Sequence, residues 1–550
     1  MVSGFAIATI VVFILSIIFV IRPVHVHIRL PFRHEKKIVR FPIDLLTAPI
    51  TAIAILWAAQ CLGASTIRAG IVGTDGVKPY NILILFFSLA YMSITLDITG
   101  VLKAAAYWVS NKSGQNGWML FINFYIMVTL LSAVLGNDPV ILSGTIFLLY
   151  YTDIAKLDEL PWLMSEFAAA NTASMVLFVG NPTNVVICEG FLVQNAAFTA
   201  YTILPFLGCS VTCLIALFVQ FRMSGKLVKE LPKTERYDVR QALTDPVGAW
   251  VGSVLLGGCL IVALVVSFVR VDVWKITLPF AAAKFFFDIA WDHYRYVNDK
   301  MPGSLPISRD GTLYEPPYTV NNPMDLPPPS YPSTRTPTDD TIVESGAPVI
   351  PDVVLLRGIP GPHHQVLISH EGPLTWQQKI ANHFPTLYNA FPRLPFALVP
   401  FAFSQFILIE ALTRQGWIDI FARWFIIATD REMFAVIWLM GVLGVILCNI
   451  SGTNIGATIL LTKVARAARL PGPSDRAAAI ALAVASNIGA VSFVFSASLA
   501  GLLWKQIIND QKPNNKITQW TFTKWNVFPL FVMTSIGLGV VSAEMAVLYH

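Results

Sequence analysis

Charge is scarce in this 550-residue chain. Only 13% of its residues are Asp, Glu, Lys or Arg, against 55% hydrophobic, and that balance excludes an ordinary soluble domain. The net charge of +5 falls mostly in loops, where it reads as an orientation signal in a membrane and not as a nucleic-acid surface. The six cysteines, Cys61, Cys188, Cys209, Cys213, Cys259 and Cys448, show no paired spacing, so neither a disulfide framework nor a zinc site is expected. No phosphate-cradling G-x-x-x-x-G-K-[ST] loop occurs, which excludes an ATPase within the chain. No nucleophile–base pair stands out, so an enzyme is not expected.

What is present is a series of apolar runs at 4–21, 42–63, 81–97, 200–221, 247–268, 272–292, 393–412 and 526–547, each of a length that spans or nearly spans a bilayer. The basic stretch from Arg22 to Arg40 follows the first run, whereas a signal peptide carries its basic residues ahead of the apolar core. The first helix is therefore expected to be retained, with the stretch after it in the cytosol. Arg222, Lys226, Lys229, Lys233, Arg236 and Arg240 form a second basic loop. Amphipathic stretches are expected at 101–112 and 417–428.

Four places break the pattern. Residues 117–135 and 140–151 are apolar but short, and Gly136-Asn137-Asp138-Pro139 separates them. This reads as a re-entrant hairpin, with Asp138 as N-cap and Pro139 as first helical residue of its second arm. A second hairpin is expected from 432–449 and 455–463, with Asn449-Ile450-Ser451-Gly452-Thr453-Asn454 at its tip. The run from 161 to 198 holds Gly180-Asn181-Pro182-Thr183-Asn184 at its centre, where Pro182 removes a backbone donor and clashes with the preceding turn. This predicts a helix broken at mid-membrane, restarted by Asn181, and tolerable only against protein or a water-filled cavity. Residues 477–505 read as a second interrupted helix.

The two halves align. Asp138 and Asn171 are 171 − 138 = 33 apart, and Asn454 and Asn487 are 487 − 454 = 33 apart, giving an offset of 454 − 138 = 316. At that offset Gly180 meets Ser496 and Pro182 meets Ser498, and Asp97 falls near Glu410 if three residues are skipped. The halves begin on opposite membrane sides, so the repeat is inverted. The expected organisation is a first repeat at 1–222, a linker at 223–246, the start of the second repeat at 247–292, a cytosolic, largely disordered loop at 293–392 and the remainder at 393–550. This topology places Lys463, Arg466, Arg469 and Arg476 outside, against the positive-inside tendency. The Pro-rich centre of the loop, 302–350, contains Pro328-Pro329-Ser330-Tyr331, a PPxY match for WW domains, such as those of ubiquitin ligases. His363-His364 lacks further ligands and reads as solvated loop.

The motifs Gly136-Asn137-Asp138-Pro139, Ala170-Asn171-Thr172-Ala173-Ser174 with Asn181-Pro182-Thr183-Asn184, and Ser496-Ala497-Ser498-Leu499-Ala500-Gly501-Leu502-Leu503-Trp504 resemble one branch of the ion transporter superfamily. That branch holds the arsenical pump membrane subunit, a sodium/proton antiporter and the citrate permeases. The resemblance covers nearly everything except 293–392. It departs at Asn171, where arsenite permeases often carry Asp. It implies an all-α polytopic inverted-repeat transporter with two re-entrant hairpins and two broken helices. It also implies separate scaffold and transport domains, elevator motion and a homodimer.

The candidate substrate or ion site comprises Asn137, Asp138, Asn171, Thr172, Ser174, Gly180, Asn181, Thr183 and Asn184 from one half, and Thr453, Asn454, Asn487, Ser496 and Ser498 from the other. These side chains are nearly all neutral and suit a small hydroxylated solute, or a carboxylate held at half-helix N-termini. Asp138, the single acid among them, is a candidate for the driving proton or a sodium ion, or else a helix cap. Lys284 and Asp288, four apart on one apolar helix, are expected to pair structurally. The expected function is proton-coupled efflux of arsenite or a related metalloid acid, with no cofactor. An organic-anion carrier or sodium/proton antiporter on the same fold is the alternative. A membrane receptor or scaffold that recruits partners through its long loop is a further one. The plasma membrane is the default location.

Overall fold

The computed structural model describes residues 3–32, 35–74, 76–231, 237–266, 271–298, 300–301, 376–513 and 515–549. All lie in one compact unit, Met1–Pro302 with Trp376–His550. The expected disorder at 302–350, the PPxY match at Pro328, Pro329 and Tyr331, and His363-His364 lie outside the described residues.

The chain opens with helix α1 (Gly4–Ile21) and an antiparallel ribbon of β1 (Val24–Phe32) and β2 (Glu35–Ile43), in register from Val24 opposite Ile43 to Phe32 opposite Glu35. The ribbon stands where a loop was expected. Each strand pairs on one side only, so Pro31 and Pro42 are tolerated within it. The expected span at 42–63 is corrected to two short helices, α2 (Thr47–Ala58) and α3 (Ala64–Val72), with Gly63 opening the second.

Next come α4 (Pro79–Ile98), α5 (Val101–Ser113), α6 (Gly117–Leu135), α7 (Asn137–Ile154), α8 (Glu159–Ala173), α9 (Pro182–Gly190) and α10 (Asn195–Met223). A single-turn helix, α11 (Val239–Ala242), precedes α12 (Pro246–Val266) and α13 (Trp274–Val297). The expected loop at 293–392 is narrower than its boundaries, because α13 runs to Val297 and α14 (Trp376–His383) and α15 (Pro385–Ala390) are helical. Asp292 holds this end together, accepting from the Thr386 backbone N–H at 2.8 Å and the Thr386 hydroxyl at 2.9 Å. The chain ends with α16 (Leu398–Arg414), α17 (Trp417–Thr429), α18 (Met433–Ile450), α19 (Asn454–Ala468), α20 (Gly472–Ile488), α21 (Leu499–Gln511) and α22 (Gln519–Tyr549). Among the described residues eight helical segments are long and apolar enough to cross a membrane, so the protein is an integral, multi-pass membrane protein.

Elements α16 to α22 repeat α4 to α10 one for one. The match extends to Pro205 and Pro529, each ten residues into the last helix of its set (205 − 195 and 529 − 519). Packing is exchanged between the sets. Helix α7 packs on α21, α19 on α9, and α10 on α22. The flanking helices also cross over: α2 and α3 cover α16, whereas α12 and α13 cover α4. The Lys284–Asp288 pair is buried on α13, where Asp288 also accepts from the Tyr91 hydroxyl of α4 at 2.9 Å.

Candidate functional site

Each hairpin turns on a backbone that its sequence dictates. Gly136 has φ +84°, a conformation that favours glycine, and it ends α6 so that α7 can begin at Asn137. Its counterpart is Gly452 at φ +87°, and the next residue, Thr453, caps α19 with its side chain. The first helical residue is therefore Asn137 in one hairpin and Asn454 in the other, an offset of 454 − 137 = 317. The glycines at positive φ in the two turns, Gly136 and Gly452, keep the expected offset, 452 − 136 = 316; Asp138 lies in the first turn of α7 and is not its cap.

Both broken helices unwind over similar stretches. Helix α8 stops at Ala173, and Asn181 restarts the chain as N-cap of α9, its side chain accepting from the Thr183 N–H at 3.1 Å. A Cβ on Gly180 would lie 2.4 Å from the Ser174 carbonyl oxygen, so the break needs glycine there. Helix α20 stops at Ile488, a short 3-10 turn forms at Phe495–Ala497, and Ser498 caps α21 through the Gly501 N–H at 3.0 Å. Ser498 thus matches Asn181, not Pro182.

The breaks meet at Asn487, whose carboxamide is fully used. Its Oδ1 accepts from the Ser174 hydroxyl at 2.8 Å and from Asn181 Nδ2 at 3.2 Å. Its Nδ2 donates to Asn184 Oδ1 and to the Ala483 carbonyl, both at 2.8 Å. Asn184 Nδ2 in turn donates to the carbonyls of Ser174 and Leu177, at 2.9 and 2.8 Å, holding the unwound segment closed. Asn171, the equivalent of Asn487, accepts from Asn137 Nδ2 at 3.1 Å. Asn454 Nδ2 donates to the Ser486 carbonyl at 3.1 Å, and the Ser486 hydroxyl lies 3.4 Å from that of Thr183. Every one of these side chains is buried.

Three expected members stand apart. Thr172 turns toward Met533 Sδ at 3.5 Å on α22. Ser496 is buried in the 3-10 turn and makes no hydrogen bond to the Asn487 cluster. Asp138 faces a small, partly open cleft lined by Ala90 and Ile94 of α4, Asn137, Gly180 and Arg393.

That cleft has a small twin bounded by Val77, Val186, Phe406, Glu410 and Lys463. The repeat relates the two, since 406 − 90 = 316, 393 − 77 = 316 and 503 − 186 = 317, Leu503 lining the first cleft. A buried acid stands near the end of α4 and of α16, Glu410 lining the second cleft and Asp97 pairing with the Arg393 that lines the first. Asp97 of α4 meets Ser143 of α7 and Arg393, the latter at 3.3 Å. Glu410 of α16 accepts from Lys463 of α19 at 3.0 Å and from the Thr74 hydroxyl at 2.9 Å. Lys463 and Arg466, which strained the expected topology, are thus engaged inside the protein, Arg466 on the Gly190 carbonyl.

The sequence reading missed Arg393, the partners of Asp97 and Glu410, and above all Glu166. Glu166 is 1% exposed, in the middle of α8. A lone acid in an eight-residue apolar window was the available signal.

The citrate transporter family profile matches residues 35–298. An uncharacterized transporter of Mycobacterium tuberculosis is 26% identical over 146 residues, 25% of this chain and 33% of that protein. An arsenical pump membrane protein of Escherichia coli is 23% identical over 224 residues, 38% of this chain and 52% of that protein. The chain thus spans between a third and about half of these curated relatives. Among solved structures, the Alcanivorax borkumensis YdaH transporter aligns over 99% of this chain and 98% of its own, at 11% identity and a TM-score of 0.43, below the value at which a shared fold follows. The relatives carry the names of transporters and pumps, not of enzymes. The chain is thus a multi-pass membrane protein that is similar over residues 35–298 to the citrate transporter family and over 38% of its length to an arsenical pump membrane protein.

Proposed function

We propose that the protein is a secondary active transporter that exports arsenite or a related metalloid acid in exchange for protons. The observation that carries this reading is the meeting of both helix breaks at Asn487, in a fully buried cluster whose side chains are all amides and hydroxyls. Such groups replace the hydration of a neutral, hydroxylated solute without an ion to balance. Asp138, apart from this cluster and facing the Arg393 cleft, supplies the coupling group for a proton or sodium ion. The exchanged packing and the twin clefts support alternating access by an inverted repeat, with the hairpins and broken helices moving as an elevator within a homodimer.

Arsenite accumulation in inverted vesicles, with and without an imposed pH gradient, tests the proposal in wild type and Asp138→Asn. Gradient-driven accumulation lost in the variant is expected. No accumulation by folded wild-type protein refutes the metalloid reading. One observation favours an organic anion instead: Arg393 lines the same cleft as Asp138. That reading requires citrate uptake that Arg393→Gln abolishes.

A further inference from the structure

Glu166 is out of place by every rule of burial. Its side chain is 1% exposed, yet among the described residues no Lys, Arg or His pairs with it. Oε2 lies 3.0 Å from the Thr145 hydroxyl of α7, and Oε1 makes no hydrogen bond. The indole Nε1 of Trp504 on α21 is directed at this carboxyl group and has no other partner. Gly144 leaves the room: a Cβ there would lie 2.3 Å from Oε1.

The elements packed on α8 are α6, α7, α10, α20 and α22. Their ionisable groups do not reach Glu166. Tyr125 of α6 donates to the Ser210 carbonyl at 3.0 Å. On α7, Asp138 lies in the first turn and Tyr150, Tyr151 and Asp153 in the last. Helix α10 carries Tyr201, Cys209, Cys213 and Arg222, and α20 carries Asp475 and Arg476 in its first turn. On α22, Lys524 lies near the start, and Glu544 and Tyr549 near the end. Lys505, next to Trp504 on α21, donates to the Ile517 carbonyl at 2.6 Å.

An ionised carboxylate in this setting would lack both water and a counter-charge, a cost that proteins avoid by keeping the acid neutral. The fold itself does not ask for an acid here. At the repeat offset, 166 + 316 = 482, the second half carries Leu482, which is fully buried. The site also lies where the halves exchange packing, since Thr145 belongs to a hairpin arm of one repeat and Trp504 to the half-helix of the other.

We propose that Glu166 is a second proton-binding site: it holds a proton beneath the packed α7 and α21, and exchanges it with water when the contact of Thr145 and Trp504 over it opens locally. The inference rests on the proton-coupled reading above. Balance is simple, since the proton enters and leaves Glu166 as solvated H⁺ and the Thr145 hydroxyl serves as donor or acceptor in the two forms.

The test uses infrared spectroscopy on purified full-length protein in lipid nanodiscs, with no solute added, alongside vesicle uptake. Wild type should show the carbonyl stretch of a neutral carboxylic acid, shifted by deuteration and lost as pH is raised. Glu166→Gln should lack that band, and arsenite uptake by it should lose its dependence on an imposed pH gradient. Glu166→Leu, the residue of the equivalent position, serves as the second variant if the first does not fold. A band that survives in the variants, a wild-type band indifferent to pH, or gradient-driven uptake that persists in Glu166→Gln overturns the proposal. If folded wild type moves no arsenite, the solute reading falls while the infrared result still decides Glu166.

Discussion

Asn487→Ala removes the carboxamide on which both helix breaks converge. Four hydrogen bonds of 2.8 to 3.2 Å disappear together. The Ser174 hydroxyl keeps its bond to the Asn171 carbonyl at 2.8 Å, and the Ala483 carbonyl keeps its helical partner. Asn181 Nδ2 and Asn184 Oδ1 keep nothing and stay buried. Leaving two buried polar groups unmade costs about 1–3 kcal/mol each. Hydrogen bonds between membrane helices average about 0.6 kcal/mol, so four of them give a lower figure of about 2.4 kcal/mol. The expected loss is about 2–4 kcal/mol. Asn171→Ala is the internal control. It strands one group, Asn137 Nδ2, and should cost about 1–2 kcal/mol. Equilibrium unfolding in mixed detergent micelles, read by tryptophan fluorescence, ranks the two. Equal losses, or an Asn487→Ala protein as stable as wild type, would refute the claim that the breaks are pinned at one residue.

Three further outcomes are expected. Lys284→Met strands the buried Asp288 with only the Tyr91 hydroxyl and should destabilise by about 3–5 kcal/mol; adding Asp288→Leu and Tyr91→Phe should recover most of it in the same unfolding assay. Gly100→Ala places a Cβ 2.1 Å from the Ala242 carbonyl oxygen at φ +92°, whereas Gly114→Ala at φ +59° meets nothing within 4 Å. The first should lower the yield of monodisperse protein sharply, and the second should cost only the strain of the left-handed backbone, about 1–2 kcal/mol. If the PPxY segment recruits a WW-domain ubiquitin ligase, Tyr331→Ala should lengthen the protein's half-life in cells; an unchanged half-life removes that reading.

Both hairpins and both breaks were legible because Gly136, Pro139, Pro182 and the Asn449–Asn454 run interrupt apolar stretches with residues that no membrane helix keeps without reason. The pairing of Asn171 with Asn487 was legible for the same cause, a polar residue at matched spacing. What stayed hidden depends on contact across the chain. Nothing local in Glu410 names Lys463 as its partner, and nothing near Asp97 points to Arg393, almost 300 residues away. The β1–β2 ribbon was hidden by its charge: a basic, Pro-containing stretch beside a membrane span reads as loop, and its pairing is satisfied by the neighbouring strand alone.

The crossing of the flanking helices has a consequence for how the protein is made. Helix α3 ends at Val72, but its packing partner α16 begins at Leu398, so 398 − 72 = 326 residues separate a segment from its cover. At a synthesis rate of about 5–20 residues per second, the wait is roughly 16–65 s. During that time the short helices α2 and α3, neither long enough to span alone, have no lasting neighbour on that side. Insertion machinery has to shelter them, and a ribosome that stops in the first half leaves a product with an uncovered flank for quality control to find.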